Sequence, residues 1–127
     1  MAISLPYRFM LAGVVFALLG TVLGIWMGTN EDFTLAPLHA HLNLVGWASM
    51  MLFGLYYKSD SVAAAKPLAN WQFTIAVLGM LFFIPGIAGA NLQNATWALF
   101  AIPGGFLTLA AMLIFAWTVW QAATKPG

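Results

Sequence analysis

The 127-residue chain contains no cysteine. No disulfide, thiolate ligand or redox-active thiol can therefore form within it, and the redox compartment is left open. Charge is almost as scarce: four Lys or Arg and three Asp or Glu make up 6% of the residues. A soluble domain carries about a quarter charged residues, so seven charges cannot cover an aqueous surface. The net charge of +1 gives no case for nucleic acid or an acidic partner. There is no phosphate loop, no Ser/His/Asp set, and no Asp, Glu or Lys within the long apolar stretches. Only two histidines occur, His39 and His41.

What the chain does have is apolar length. It is 63% hydrophobic, with a mean hydropathy of +0.93. Four apolar segments run roughly over 7–28, 35–57, 68–90 and 94–122. Each is long enough, at 1.5 Å per residue, to cross a hydrocarbon core of about 30 Å. Helices are expected because lipid cannot satisfy an open backbone, and no alternating barrel pattern is present. The expected fold class is all-α, a four-helix transmembrane bundle in a single domain, 1–127. The first segment exceeds the roughly 7–15 apolar residues of a signal peptide and ends in Glu31-Asp32 without a small-x-small site, so a retained helix is expected. Thr34 is placed to cap the second helix, with Pro37 in its first turn. Pro85 and Pro103 predict bends in helices three and four.

Arg8, Lys58, Lys66 and Lys125 fall on one side of such a bundle, and Glu31 and Asp32 on the other. The positive-inside rule then makes both termini cytoplasmic, in a bacterial inner membrane. Trp26 and Trp97 mark the outer interface, and Trp71, Trp117 and Trp120 the inner one. Tyr7, Tyr56 and Tyr57 read as inner-side anchors.

This orientation puts His39 and His41 near the outer face. Residues i and i+2 of a regular helix point about 200° apart, so one metal cannot take both unless that turn is unwound. His39 shares its stripe with Asn43, Gly46, Met50, Gly54 and Tyr57, a small and polar set suited to a bundle interior or a cofactor pocket. His41 shares one with Leu44, Val45, Ala48, Leu52 and Leu55, which suits lipid, a second subunit or a flat macrocycle. His39 is therefore the favoured ligand. Gly20, Gly24 and Gly28 clear one face of helix one for a backbone or a planar ring. Imidazole is the usual protein ligand of haem iron and a common one of copper. Met27 is the one other soft donor at that depth, so the candidate metal ligands are His39, His41 and Met27. The competing reading gives each imidazole a hydrogen bond to a carbonyl or water and nothing more.

The segment "PLHAHLNLVGWASMMLFGLYY" resembles the second transmembrane helix of the catalytic subunit of haem-copper oxidases, nearest to the nitric oxide reductase and cbb-type branches. It is also similar to the "HAHL-N-L-GW" segment of short bacterial membrane proteins described as oxidase subunit I-like. The resemblance covers about 25 residues. It implies a haem b held by His39, with Tyr56-Tyr57 as the closing aromatics, and a role in electron transfer or in binding O2 or NO. Asn43, Gly46, Met50, Gly20 and Gly24 would line the cofactor. The large subunits of that family have about twelve helices and many histidines. Here no third histidine, no second axial ligand and no outer-side Arg for propionates is present, so full oxidase or reductase activity is not expected. A two-fold homodimer would bring two His39 side chains to one iron at the interface. Other arrangements are His39 with Met27, or one His with an open site. Two further readings stand beside these. One is a copper-handling protein using His39, His41, Met27 and the Glu31-Asp32 carboxylates. The other is an assembly subunit that docks a respiratory partner through the glycine face.

Overall fold

The computed structural model describes residues 2–125. It is all-helical, with 85% helix and no strand among the described residues. Helix α1 spans Leu5–Asn30. A continuous helical run follows, made of α2 (Ala36–His41), a π segment (Leu42–Ala48) and α3 (Ser49–Ser59). A short α4 (Ser61–Ala64) leads to α5 (Pro67–Asn91). A short α6 (Ala95–Ala98) precedes α7 (Ala101–Ala123). Three segments are long and apolar enough to cross a membrane: Leu5–Asn30, Pro67–Asn91 and Ala95–Ala123. That is the mark of a membrane protein.

The element boundaries have local causes. Pro stands in the first turn of α1, α2 and α5, where its missing N–H would have no partner anyway. α1 stops at Glu31, whose left-handed backbone (φ 50°) lets its N–H reach Met27 O. Thr34 does not cap α2. The cap position falls on Leu35, one residue on, and the Thr34 N–H and hydroxyl both donate to Asp32 Oδ1, at 3.0 and 2.6 Å. The fourth segment is not one helix. The chain turns at Leu99–Phe100, so Pro103 falls in the opening turn of α7 and not in a helix interior. α5 runs unbroken through Pro85.

The core is aromatic at the end that carries Arg8, Lys58 and Lys66. Phe9 is fully buried, stacked on Tyr57 at 5.7 Å and edge-on to Phe53 and Phe73 at 5.7 and 5.1 Å. Tyr57 is therefore a core residue and not an interface anchor. Its hydroxyl donates to Gln72 Oε1, an amide that is itself wholly buried. Apolar surface gains little by leaving lipid, so close packing holds such helices together. Glycines make that closeness possible. A Cβ on Gly86 would lie 2.1 Å from Ala101 N, and one on Gly89 2.5 Å from Ala98 N, so α5 meets the turn between α6 and α7 backbone to backbone.

Candidate functional site

The π segment determines where the polar residues point. Within it each N–H reaches five residues back, which widens the turn. Ser49 shows this register: its N–H bonds Leu44 O, and its hydroxyl adds a second bond there at 3.0 Å. The buried line therefore runs in steps of four, Leu38, Leu42, Gly46 and Met50, before α3 continues it at Phe53 and Tyr57. A regular α-helix would have put His39 and Asn43 on that line. The wider turn displaces them to its edge, and both are half-buried. They do not sit in the bundle interior.

They lie instead on the glycine face of α1. A Cβ on Gly24 would be 2.8 Å from His39 Cε1, and one on Gly20 would be 2.7 Å from Asn43 Nδ2. The face made by Gly20 and Gly24 is thus filled by two side chains of the same chain. It is not free to dock a larger subunit. Gly28 has nothing near it.

The hydrogen bonds fix the imidazole. His39 Nδ1 is 2.8 Å from Gly20 O. A carbonyl can only accept, so Nδ1 carries a proton, and in the neutral ring the lone pair is then on Nε2. Asn43 Nδ2 donates to His39 O at 2.8 Å and lies 3.4 Å from both ring nitrogens. His41 uses Nδ1 in the same way, but on Pro37 O of its own preceding turn, at 2.7 Å. Its ring packs edge-on against Phe83 of α5, 5.4 Å between centroids. The two histidines thus serve different neighbours, α1 for His39 and α5 for His41.

The other expected site residues separate. Gly46 faces Phe16 and Met80, and Met50 lies against Gly13. Met27 is buried at the end of α1, where its carbonyl accepts from Glu31 and Asp32. The copper set is not assembled, since no group of three or more His, Asp or Glu side chains able to hold a metal forms among the described residues. The turn carrying both histidines stays α-helical, which drives their side chains apart. Asp32 is engaged by Thr34, and the bond from the Thr34 hydroxyl, followed by that from its N–H, holds the carboxyl below its ordinary range.

For a haem iron, the chain presents two imidazoles, each held at Nδ1 by a backbone carbonyl, and His39 is the one held across a helix contact. The His39 ring is oriented through Nδ1 by a backbone carbonyl, an arrangement common among metal-binding imidazoles. The residues fit a single axial position. Reading the sequence only for ionisable groups missed the neutral polar residues of the spans. Gln72, Thr108 and Thr118 lie between the helices, and the signal for them was a polar side chain in a run that otherwise avoids one. No protein family, curated protein or solved structure matches this chain.

Proposed function

We propose that this chain is a haem b-binding protein of the bacterial inner membrane, in which His39 Nε2 ligates the iron. The observation that carries the reading is the 2.8 Å bond from His39 Nδ1 to Gly20 O. It joins two helices through Nδ1, so that Nε2, with the Asn43 amide 3.4 Å away, is the nitrogen that would meet the iron. The segment 36–59 acts as a fourth span in this reading, so that four helices form the bundle and both termini are cytoplasmic. A second ligand comes from His39 of the partner subunit across a two-fold homodimer interface near the outer face. The haem would supply a one-electron couple for exchange with a respiratory partner, or an open position for O2 or NO if one axial site stays empty. The chain's own part is to hold the imidazole, fix its tautomer and keep water away with apolar neighbours. The likeness of "PLHAHLNLVGW" to haem-copper oxidase helices supports the reading, as does the cost of placing an imidazole in a bilayer without a role.

The test is an absorption spectrum of detergent-purified protein expressed with ample haem. Wild type and His41→Ala should show a Soret band, and His39→Ala should lose it. A colourless wild-type protein, or a His39→Ala variant with an unchanged spectrum, overturns the proposal. Exposure to CO then distinguishes a five-coordinate iron, whose spectrum shifts, from a six-coordinate one.

A further inference from the structure

Three cations at one end of the bundle are held by neutral partners. Lys58 donates to the Tyr7 hydroxyl at 2.6 Å, Lys66 to Gln121 Oε1 at 3.0 Å and Arg8 to Asn70 Oδ1 at 2.9 Å. Asp60, the one carboxylate at this end among the described residues, is engaged locally. It accepts from the Ala63 N–H at 2.9 Å and from the Tyr56 hydroxyl at 3.5 Å. Arg8 is the most constrained of the three cations. It is half-buried, and its guanidinium lies 4.3 Å over the Phe73 ring while Asn70 takes one N–H. A guanidinium has five N–H donors and keeps its charge, so a planar cation is held in one orientation with donors to spare.

A shallow groove on α5 adjoins it, lined by Asn70, Trp71 and Thr74. Asn70 spends its oxygen on Arg8 and has Nδ2 left to donate, and the Trp71 indole can only donate. The Thr74 hydroxyl donates to Asn70 O at 3.1 Å. α1 and α5 both begin at this end, at Leu5 and Pro67, so the positive ends of two helix dipoles add to Arg8. Arg8 and Asn70 stand in the first turns of two membrane-length helices, at the depth of lipid headgroups. Below the groove an exposed stripe runs on along α5 through Trp71, Thr74, Leu78 and Leu81, in helical steps of three and four.

We propose that this groove binds one anionic phospholipid. The two free oxygens of its phosphodiester match the guanidinium fork, Asn70 holds that fork in place, and an acyl chain lies along the Leu78–Leu81 stripe. The stripe is what favours a lipid over a free phosphate. A zwitterionic lipid is a poorer fit, since its own ammonium competes for the phosphate. The inference is independent of haem.

Arg8 is the only arginine in the chain, so its labelled guanidinium carbon gives a single solid-state NMR signal. Dephasing of that signal by phosphorus tests the proposal on the full chain in bilayers. It should be strong in bilayers containing phosphatidylglycerol and roughly fivefold weaker in pure phosphatidylcholine. Inorganic phosphate added to the phosphatidylcholine sample should not restore it. Asn70→Asp gives Arg8 a carboxylate of its own and should abolish the effect. Lys125→Gln removes a charge from the same end without touching the groove and should preserve it. Equal dephasing in the two lipids, restoration by inorganic phosphate, an Asn70→Asp protein that behaves as wild type, or equal loss in Lys125→Gln each overturns the proposal.

Discussion

Gly24 and Gly28 are the same residue type on the same row of α1, yet they meet different surroundings. A methyl at Gly24 would press on the His39 ring at 2.8 Å, whereas one at Gly28 meets nothing within 4 Å. Gly24→Ala should therefore push the imidazole off its bond to Gly20 O and, if the proposed haem site is correct, weaken haem binding by about tenfold or more, the usual loss when an orienting contact fails. Gly28→Ala should leave the spectrum intact and, by helix propensity, favour α1 by up to about 1 kcal/mol. Haem titration of the two variants separates these outcomes. Asp32 offers a pH test on the outer loop. Its folded pKa is lowered by the Thr34 bonds. The turn they form is thus favoured above the ordinary aspartate pKa and is lost as the pH falls through the lowered one. The Thr34 amide resonance should titrate with a midpoint below that of an ordinary aspartate, and Thr34→Ala should move the carboxyl midpoint of Asp32 upward.

Among the elements, the α5–α7 pair depends on backbone contact and not on large side chains. Gly86→Ala would drive a methyl against Ala101 N, where no side chain can rotate away. A cost of about 3 kcal/mol or more is expected, at the upper end of overpacking penalties. The midpoint of SDS-induced unfolding followed by circular dichroism should fall well below that of wild type, while Gly28→Ala stays close to it. The sequence shows why this pair was hard to foresee. The row of Gly20, Gly24 and Gly28 has an obvious four-residue spacing, whereas Gly79, Gly86 and Gly89 are spaced by seven and three, interrupted by bulky residues. Those spacings put the three on one side of α5, but only packing shows that this side meets α6 and α7 backbone to backbone. The π segment is likewise invisible in "LNLVGWA", because the spacing of apolar residues there also fits an α-helix. The choice is made by Gly46, which admits Phe16 from α1, together with Leu38 and Leu42, which enter the core.

For the whole molecule, the distribution of charge predicts its placement in the bilayer. Phe33 and Leu92 are exposed in the two loops on the acidic side, and Ser61 is exposed near Lys58 and Lys66. Because the chain has no native cysteine, single cysteines report topology without background. Phe33→Cys and Leu92→Cys should react with a membrane-impermeant maleimide added to intact spheroplasts, and Ser61→Cys should not. The reverse pattern would invert the proposed orientation. The positive side also has cohesion of its own: Arg8 donates to Asn70 Oδ1 at 2.9 Å and lies over the Phe73 ring, and Lys58 donates to the Tyr7 hydroxyl at 2.6 Å. These contacts tie α1 to α5 and to α3 beside the Phe9 cluster.

The sequence alone determined that the chain is helical and long enough to cross a membrane. Apolar length and the scarcity of charge are properties of composition, and a bilayer permits few other structures. It also singled out residue 39 by the company it keeps. The tertiary structure decided the rest. Which carbonyl holds each imidazole, which glycines are filled, and where the second helical run widens to π spacing all depend on the shape of the neighbouring helix. Two histidines separated by one residue look equivalent along the chain. They differ because Gly20 O accepts from one across a helix contact, and Pro37 O accepts from the other within its own turn.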